Sequence, residues 1–162
     1  MKNKFFMGID PGSRNSAFSF YSYSEYYSYT TMDIAERRDL ILKYKPVFVV
    51  LEKVNTMPGQ GIVSSGKFMK AVGVWQGILE TLDIKYQEVS AKDWQKILEL
   101  EIPDFKSFPK KEIKGLKKKH KLNLARARYP KADLKYEKSI DVAESLFMAE
   151  AAYKLANRKQ YG

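Results

Sequence analysis

No cysteine occurs in the 162 residues of this chain, and histidine occurs once, at His120. The lack of thiols excludes disulfides, thiolate zinc sites and cysteine nucleophiles. A single imidazole argues against a histidine-built metal centre or a His-based triad. A catalytic metal, if there is one, must then be held by carboxylates, whose hard oxygens suit Mg²⁺ or Mn²⁺. No apolar run approaches the roughly 18–20 residues of a membrane span. The N-terminus, MKNKFFMGIDPG, carries two lysines and a short apolar stretch that runs straight into Asp-Pro-Gly. A secretion signal needs a longer apolar region and a small-residue cleavage site. The stretch therefore reads as a first strand, and the expected location is the cytoplasm of a bacterium or of a phage's host.

Acidic residues are also in short supply, 19 Asp+Glu against 29 Lys+Arg, for a net charge of +10. Most of the excess sits in the segment from Lys106 to Arg128, KSFPKKEIKGLKKKHKLNLARAR. A cationic face of this size points to a polyanionic partner; a solvated lysine-rich face is the plain alternative. The apolar share of 44% and charged share of 30% are those of a folded soluble chain. The length fits one domain, residues 1–162, with a core of its own.

Along the chain, Lys4–Ile9 reads as a buried strand closed by the turn Asp10-Pro11-Gly12. Ala17–Tyr23 alternates with period two, and Tyr27–Met32 follows a weak turn, which predicts an antiparallel meander. Asp33–Lys45 reads as a helix stopped by Pro46, with Ile34, Leu40, Ile41 and Tyr44 on one side. Val47–Leu51 is a continuous apolar run that suits a central strand covered on both faces. Val63–Leu82 is a long helical pattern, Ile84–Val89 a further strand, and Ser90 caps a helix with Asp93 completing an approximate capping box. Glu101–Pro109 reads as a loop, Lys110–Tyr129 as helical in part, and Ser139 as the cap of a last helix from Ile140 to about Arg158. A meander followed by crossovers gives an α/β fold, a mixed five-stranded sheet flanked by helices.

Acidic residues stand at element boundaries. Asp10 follows the first strand, Glu52 ends the VFVVL strand, and Asp141 and Glu144 lie on the first turn of the last helix. If the first and fourth strands are neighbours, Asp10 and Glu52 project side by side. Residues three apart on a helix share a face, so Asp141 and Glu144 point together. With that helix packed across the sheet, up to four carboxylates converge. They repel one another unless divalent cations neutralise them, and two such ions about 3.5–4 Å apart can activate water and stabilise the leaving oxygen of a phosphodiester. Each residue has a plainer reading. Asp10 can simply shape its turn, Glu52 can reach solvent, and Asp141 and Glu144 can serve the helix dipole.

GIDPGSRNSAF, VVLEKV and IDVAESLFMAEAA resemble, in order, the first, second and last motifs of RuvC-type Holliday-junction resolvases. The last motif typically reads Asp-x-Ala-Asp-Ala-Leu, and this chain departs from it with Glu144 in place of the second Asp. NTMPGQGIVSSGKFMKAVGVWQGIL and VSAKDWQKIL resemble a subgroup of RuvC-like proteins of phages and bacteria. The resemblance implies a ribonuclease H-like fold and a homodimeric, structure-specific endonuclease. Such an enzyme uses two divalent ions per site, Mg²⁺ with Mn²⁺ as substitute, and cuts opposed strands of a four-way DNA junction in DNA recombination or repair. It implies no nucleotide cofactor. Asp10, Glu52, Asp141 and Glu144 would be the catalytic metal ligands. Two other readings stay open: the same fold acting on flaps, forks or RNA–DNA hybrids, and a non-catalytic protein that binds branched DNA.

The long helix Val63–Leu82 is apolar over more than one stripe, through Phe68, Met69, Ala71, Val72, Val74, Trp75, Ile78, Leu79 and Leu82. One side can face the sheet and the other a second copy, with Gly73 and Gly77 allowing close approach; burial within one domain is the alternative. In the RuvC-like family the corresponding helix helps build the dimer. Candidate DNA contacts are Ser13 and Arg14 after the first strand, and Lys53, Met57 and Gln60 after the fourth. Lys67 and Lys70 on the long helix join them, as do Lys110, Lys111, Lys114, Lys117, Lys118, Lys119 and Lys121. The lysine run would make binding steeply salt-dependent, and one of its members could approach the scissile phosphate. The tyrosines between Tyr21 and Tyr29 can stack bases, but alternating tyrosines in a meander serve packing more often.

Overall fold

The structure, a computed structural model, describes residues 3–12, 16–54, 59 and 61–158. Strands β1 (Phe6–Asp10), β2 (Ala17–Tyr21) and β3 (Tyr26–Thr30) form the antiparallel meander. Helix α1 (Ile34–Tyr44) leads to β4 (Phe48–Glu52), α2 (Ile62–Thr81) to β5 (Tyr86–Val89), and α3 (Ala91–Ile97) and α4 (Lys110–Arg128) follow. A 3₁₀ turn at Glu137–Ser139 runs directly into α5 (Ile140–Arg158). The sheet order is β3-β2-β1-β4-β5, with β4 parallel to both β1 and β5. This is the mixed sheet that the strand pattern predicts.

Alternation along the central strands separates two cores. Met7, Ile9, Val49 and Leu51 face α1 and α2, packing on Val72, Trp75, Ile78 and Leu79. Phe6 and Val50 face the opposite way, into a core with Trp94, Leu122, Tyr129, Leu146 and Phe147 from α3, α4 and α5. The molecule is thus helices, sheet, helices. Gly8 permits the closest approach in that stack. Helix α5 crosses the sheet over it, and a Cβ there would collide with Ala149 N, Ser145 O and, at 2.6 Å, Met148 C. The neighbours of Gly8 across the sheet are also small, Ser19 on β2 and then Ser28 on β3. Ser19 Oγ lies 2.6 Å from Ser145 Oγ of α5, which itself donates to Val142 O. A row of small residues thus makes the furrow in which the helix rests.

Local chemistry sets the element ends. Asp33 caps α1 by accepting from Ala35 N and Glu36 N, and Lys45 closes it in the left-handed conformation before Pro46. Ser90 caps α3, accepting from Asp93 N. Ser90 Oγ also donates to the Asp93 carboxylate at 2.6 Å.

Several expectations need correction. Ser139 does not cap α5, because the 3₁₀ turn carries the chain straight into it. The lysine-rich segment is one continuous 19-residue helix rather than a partial one. On α1, Ile34 is exposed, while Arg37 is buried. The guanidinium of Arg37 lies 4.5 Å over the Trp75 ring and donates from Nε to Thr31 O. The meander tyrosines mainly pack, as alternation suggests: Tyr21 on Tyr153, Tyr26 on Tyr129, and Tyr27 and Tyr29 on Tyr44. Tyr23 is the exception at 87% exposed.

Candidate metal centre

Strand parity and register place two of the four acidic residues. Asp10 has the parity of Phe6 and Gly8, and Glu52 that of Val50, so both side chains lie on the α5 side of the sheet. The parallel register pairs Ile9 with Leu51. One step further along, Asp10 stands beside Glu52, at the roughly 4.8 Å spacing of neighbouring strands. Helix α5 supplies the other two from its first turns.

Asp10, Asp141 and Glu144 offer carboxylate oxygens that all lie within 4.8 Å of one another. Glu52 stands outside that set but feels it. Its pKa is pushed up to about 7 by burial, then by Glu144 and Asp141, with Trp94 and Lys121 opposing the rise. Asp10 is pushed up to about 8 by burial and then by Glu52, Glu144 and Asp141, against a hydrogen bond from the Gly12 backbone. Asp141 is raised by burial and by Glu144, with Lys118 opposing. Buried carboxylates this close bind protons more tightly than free ones do, unless positive charge enters between them. The donor set consists of oxygens alone and is partly buried, which fits a hard divalent cation.

Neighbouring groups hold the frame. The Asp10 carbonyl accepts from Ser16 Oγ at 3.2 Å, and Ser16 Oγ accepts from the Trp75 indole N–H at 2.7 Å. That chain ties the end of β1 to α2. Lys121 of α4 pairs with Glu144, both side chains being largely buried. Its Nζ lies 5.9 Å from the centroid of the Trp94 ring. Further along, the Glu150 carboxylate accepts from Arg128 Nε at 2.8 Å and from the Tyr129 hydroxyl at 2.6 Å. These two ion pairs clamp α4 against α5.

Among the sequence-derived DNA contacts, Lys53, Lys67, Lys70, Lys110, Lys111, Lys114, Lys118 and Lys119 are exposed, Lys117 is partly buried and Lys121 is largely buried. Lys118 acts on Asp141, so α4 carries positive charge from solvent to the acidic cluster. A groove of about 620 Å³ between α4 and the 3₁₀ turn includes Lys111, Lys118, Lys119 and Lys138 in its lining. Ser13, Arg14, Met57 and Gln60 lie outside the described residues. A groove of about 680 Å³ lined by Lys4, Tyr23, Lys154 and Arg158 lies near the start of β1, away from the carboxylates at its end. Sequence reasoning missed Gly8, Ser16, Trp94 and Glu150. Two had signals: a glycine inside a strand marks a close approach, and a glutamate in the apolar middle of α5 demands a partner. No helix among the described residues is long and apolar enough to cross a membrane.

No protein-family profile matches the sequence, and no curated protein matches it. Solved structures do match. RuvC of Thermus thermophilus in complex with a Holliday junction substrate superimposes with a TM-score of 0.71 at 10% identity, covering 96% of each chain. Another structure of that RuvC gives 0.64 at 11% identity over the same shares. The fowlpox virus resolvase in its complex with Holliday junction DNA gives 0.55 at 17% identity, covering 94% of this chain and 98% of that one. Over nearly its whole length, therefore, the chain has the ribonuclease H-like fold of RuvC and other Holliday-junction resolvases.

Proposed function

We propose that this chain is a divalent-metal-dependent endonuclease that resolves four-way DNA junctions by paired phosphodiester hydrolysis. One observation carries the reading: three carboxylates from β1 and α5 meet within 4.8 Å, with Glu52 beside them, on the fold of junction resolvases. Asp10, Glu52, Asp141 and Glu144 are the ligands in this reading. Two Mg²⁺ ions, or Mn²⁺ in their place, would supply an activated water and charge for the leaving oxygen. The protein's own part is to collect the anionic oxygens and to bring the backbone to them. Lys118 and Lys119 draw phosphates along the groove beside α4. Lys121 pairs with Glu144 and holds it in place.

Two copies are needed to cut both opposed strands. The outward face of α2 supports that pairing. Ile62, Val63 and Met69 are exposed there at 92%, 72% and 56%, and open space lies over Gly66, Gly73 and Gly77. A two-fold dimer through this face would match the two-fold symmetry of a junction.

The test is cleavage of a synthetic mobile four-way junction, with and without Mg²⁺. Linear duplex, flap, fork and RNA–DNA hybrid serve as competitors. Metal-dependent paired nicks in the junction are expected. Equal rates on linear duplex or hybrid would refute junction specificity, and binding without cleavage at any metal concentration would refute catalysis.

A further inference from the structure

Three segments meet at the groove of about 680 Å³ by the start of β1. Lys4 comes from the chain before that strand, Tyr23 from the turn between β2 and β3, and Lys154 and Arg158 from the last turns of α5. Residues four apart on a helix share a face, so Lys154 and Arg158 point together. Tyr153, set edge-on to Phe6 with ring centroids 5.3 Å apart, gives the groove an aromatic wall. The turn is braced. Ser22 N donates to Glu25 O at 2.8 Å, and Asn3 Nδ2 donates to Ser24 Oγ at 3.3 Å. It holds Tyr23 out at 87% exposed. No carboxylate lines the groove. Glu25, the acid of the turn, stands outside the lining and accepts from Asn3 and from the Tyr27 hydroxyl. None of Lys4, Lys154 and Arg158 forms an ion pair with a described residue. The helix dipole accounts for a cation in the last turn of α5, but not for Lys4 and Tyr23 on the same groove.

We propose that this groove binds a short stretch of single-stranded nucleic acid, with one base stacked on Tyr23 and the adjoining phosphates on Lys4, Lys154 and Arg158. A cationic channel with an aromatic platform is the combination that holds unpaired strands, because every base offers a flat face and every linkage a negative charge. A duplex would use the cations and leave the tyrosine idle, since its bases already cover one another. The groove shares no lining residue with the lysine-lined groove beside α4. Phe6 and Asp10 are the two ends of β1, about 13 Å apart, so a strand held here is not the one lying on the carboxylates. It is a second nucleic-acid contact, and it stands whether or not the acidic cluster takes a metal.

The test uses a short end-labelled oligothymidylate in EDTA, so that no metal site contributes, with binding read by fluorescence anisotropy. Tyr23→Ala should weaken binding about 10-fold, and Tyr23→Phe, which keeps the ring, should bind as the unmodified protein does. Lys154→Glu with Arg158→Glu should weaken binding and flatten its log–log salt dependence by about 0.7 for each phosphate released. A blunt duplex of the same length should lose nothing with Tyr23→Ala. An oligothymidylate carrying 5-iodouracil, cross-linked by light to the unmodified protein and mapped by peptide mass, should attach at Tyr23 or Tyr153. Unchanged binding by Tyr23→Ala overturns the proposal, as does an equal loss in Tyr23→Phe, since stacking would then not be the contact. An equal loss on the duplex assigns the groove to phosphates alone and overturns the single-strand reading. Cross-links confined to α4 overturn the location. None of these outcomes bears on metal-dependent junction cleavage, which Tyr23→Ala leaves open to separate measurement.

Discussion

Replacing Asp10 with asparagine should make the metal-free protein more stable while destroying its activity. Asp10 has its pKa raised from 3.8 to about 8 by burial and by three neighbouring carboxylates. A carboxyl group whose pKa is higher folded than unfolded binds its proton more tightly in the native state. Its contribution is therefore most favourable below pH 4 and is lost progressively as pH rises towards 8. At pH 7.5 nearly the whole of that difference applies, or about 5 kcal/mol at face value. Relaxation and water entry at the end of a strand reduce this, and about 2 kcal/mol is the expected net gain for Asp10→Asn. For a domain of this size that corresponds to an increase in Tm of about 4–8 °C. The amide can still accept the Gly12 backbone N–H, so the turn survives. The assay is thermal unfolding by circular dichroism in EDTA, for both proteins, at pH 5 and pH 7.5. The Tm difference should widen with pH. Excess Mg²⁺ should then raise the Tm of the unmodified protein and leave the variant nearly unmoved. A variant that melts at or below the unmodified protein at pH 7.5 in EDTA would refute the reasoning, as would a difference that does not grow with pH.

Other perturbations probe the frame and the surfaces. Gly8→Ala places a methyl group against the α5 backbone; the expected cost is about 3 kcal/mol, seen as a fall in the midpoint of chemical unfolding. Charge reversal at Lys117, Lys118 and Lys119 should weaken junction binding and flatten its log–log salt dependence by about 0.9 for each phosphate no longer neutralised, measured by titration between about 50 and 200 mM salt. An unchanged slope would mean that these residues do not touch phosphate. Met69→Lys on the exposed face of α2 should shift the protein to monomer in sedimentation equilibrium while leaving its far-ultraviolet spectrum intact; a variant that sediments as the unmodified protein does would remove α2 as the dimer face.

Much of this molecule was legible in the order of its residues. Element types followed from periodicity, because β-strands alternate every two residues and the helices carry their own caps and stops. The absence of cysteine, with a single histidine, left carboxylates as the metal donors before any geometry was known. Asp10, Glu52, Asp141 and Glu144 stood out because each sits where an element ends or begins. What sequence could not provide was the arrangement across the fold. Register decided that Asp10 stands beside Glu52, and register is a property of two strands far apart in sequence, not of either one. The furrow over Gly8, Ser19 and Ser28 decided how closely α5 could bring Asp141 and Glu144. Lys121 was one of several lysines in a run until the packing of α4 on α5 set it against Glu144. Local pattern is written in neighbouring residues and can be read from them. Which charges meet depends on how distant segments pack, and only the tertiary structure decides that.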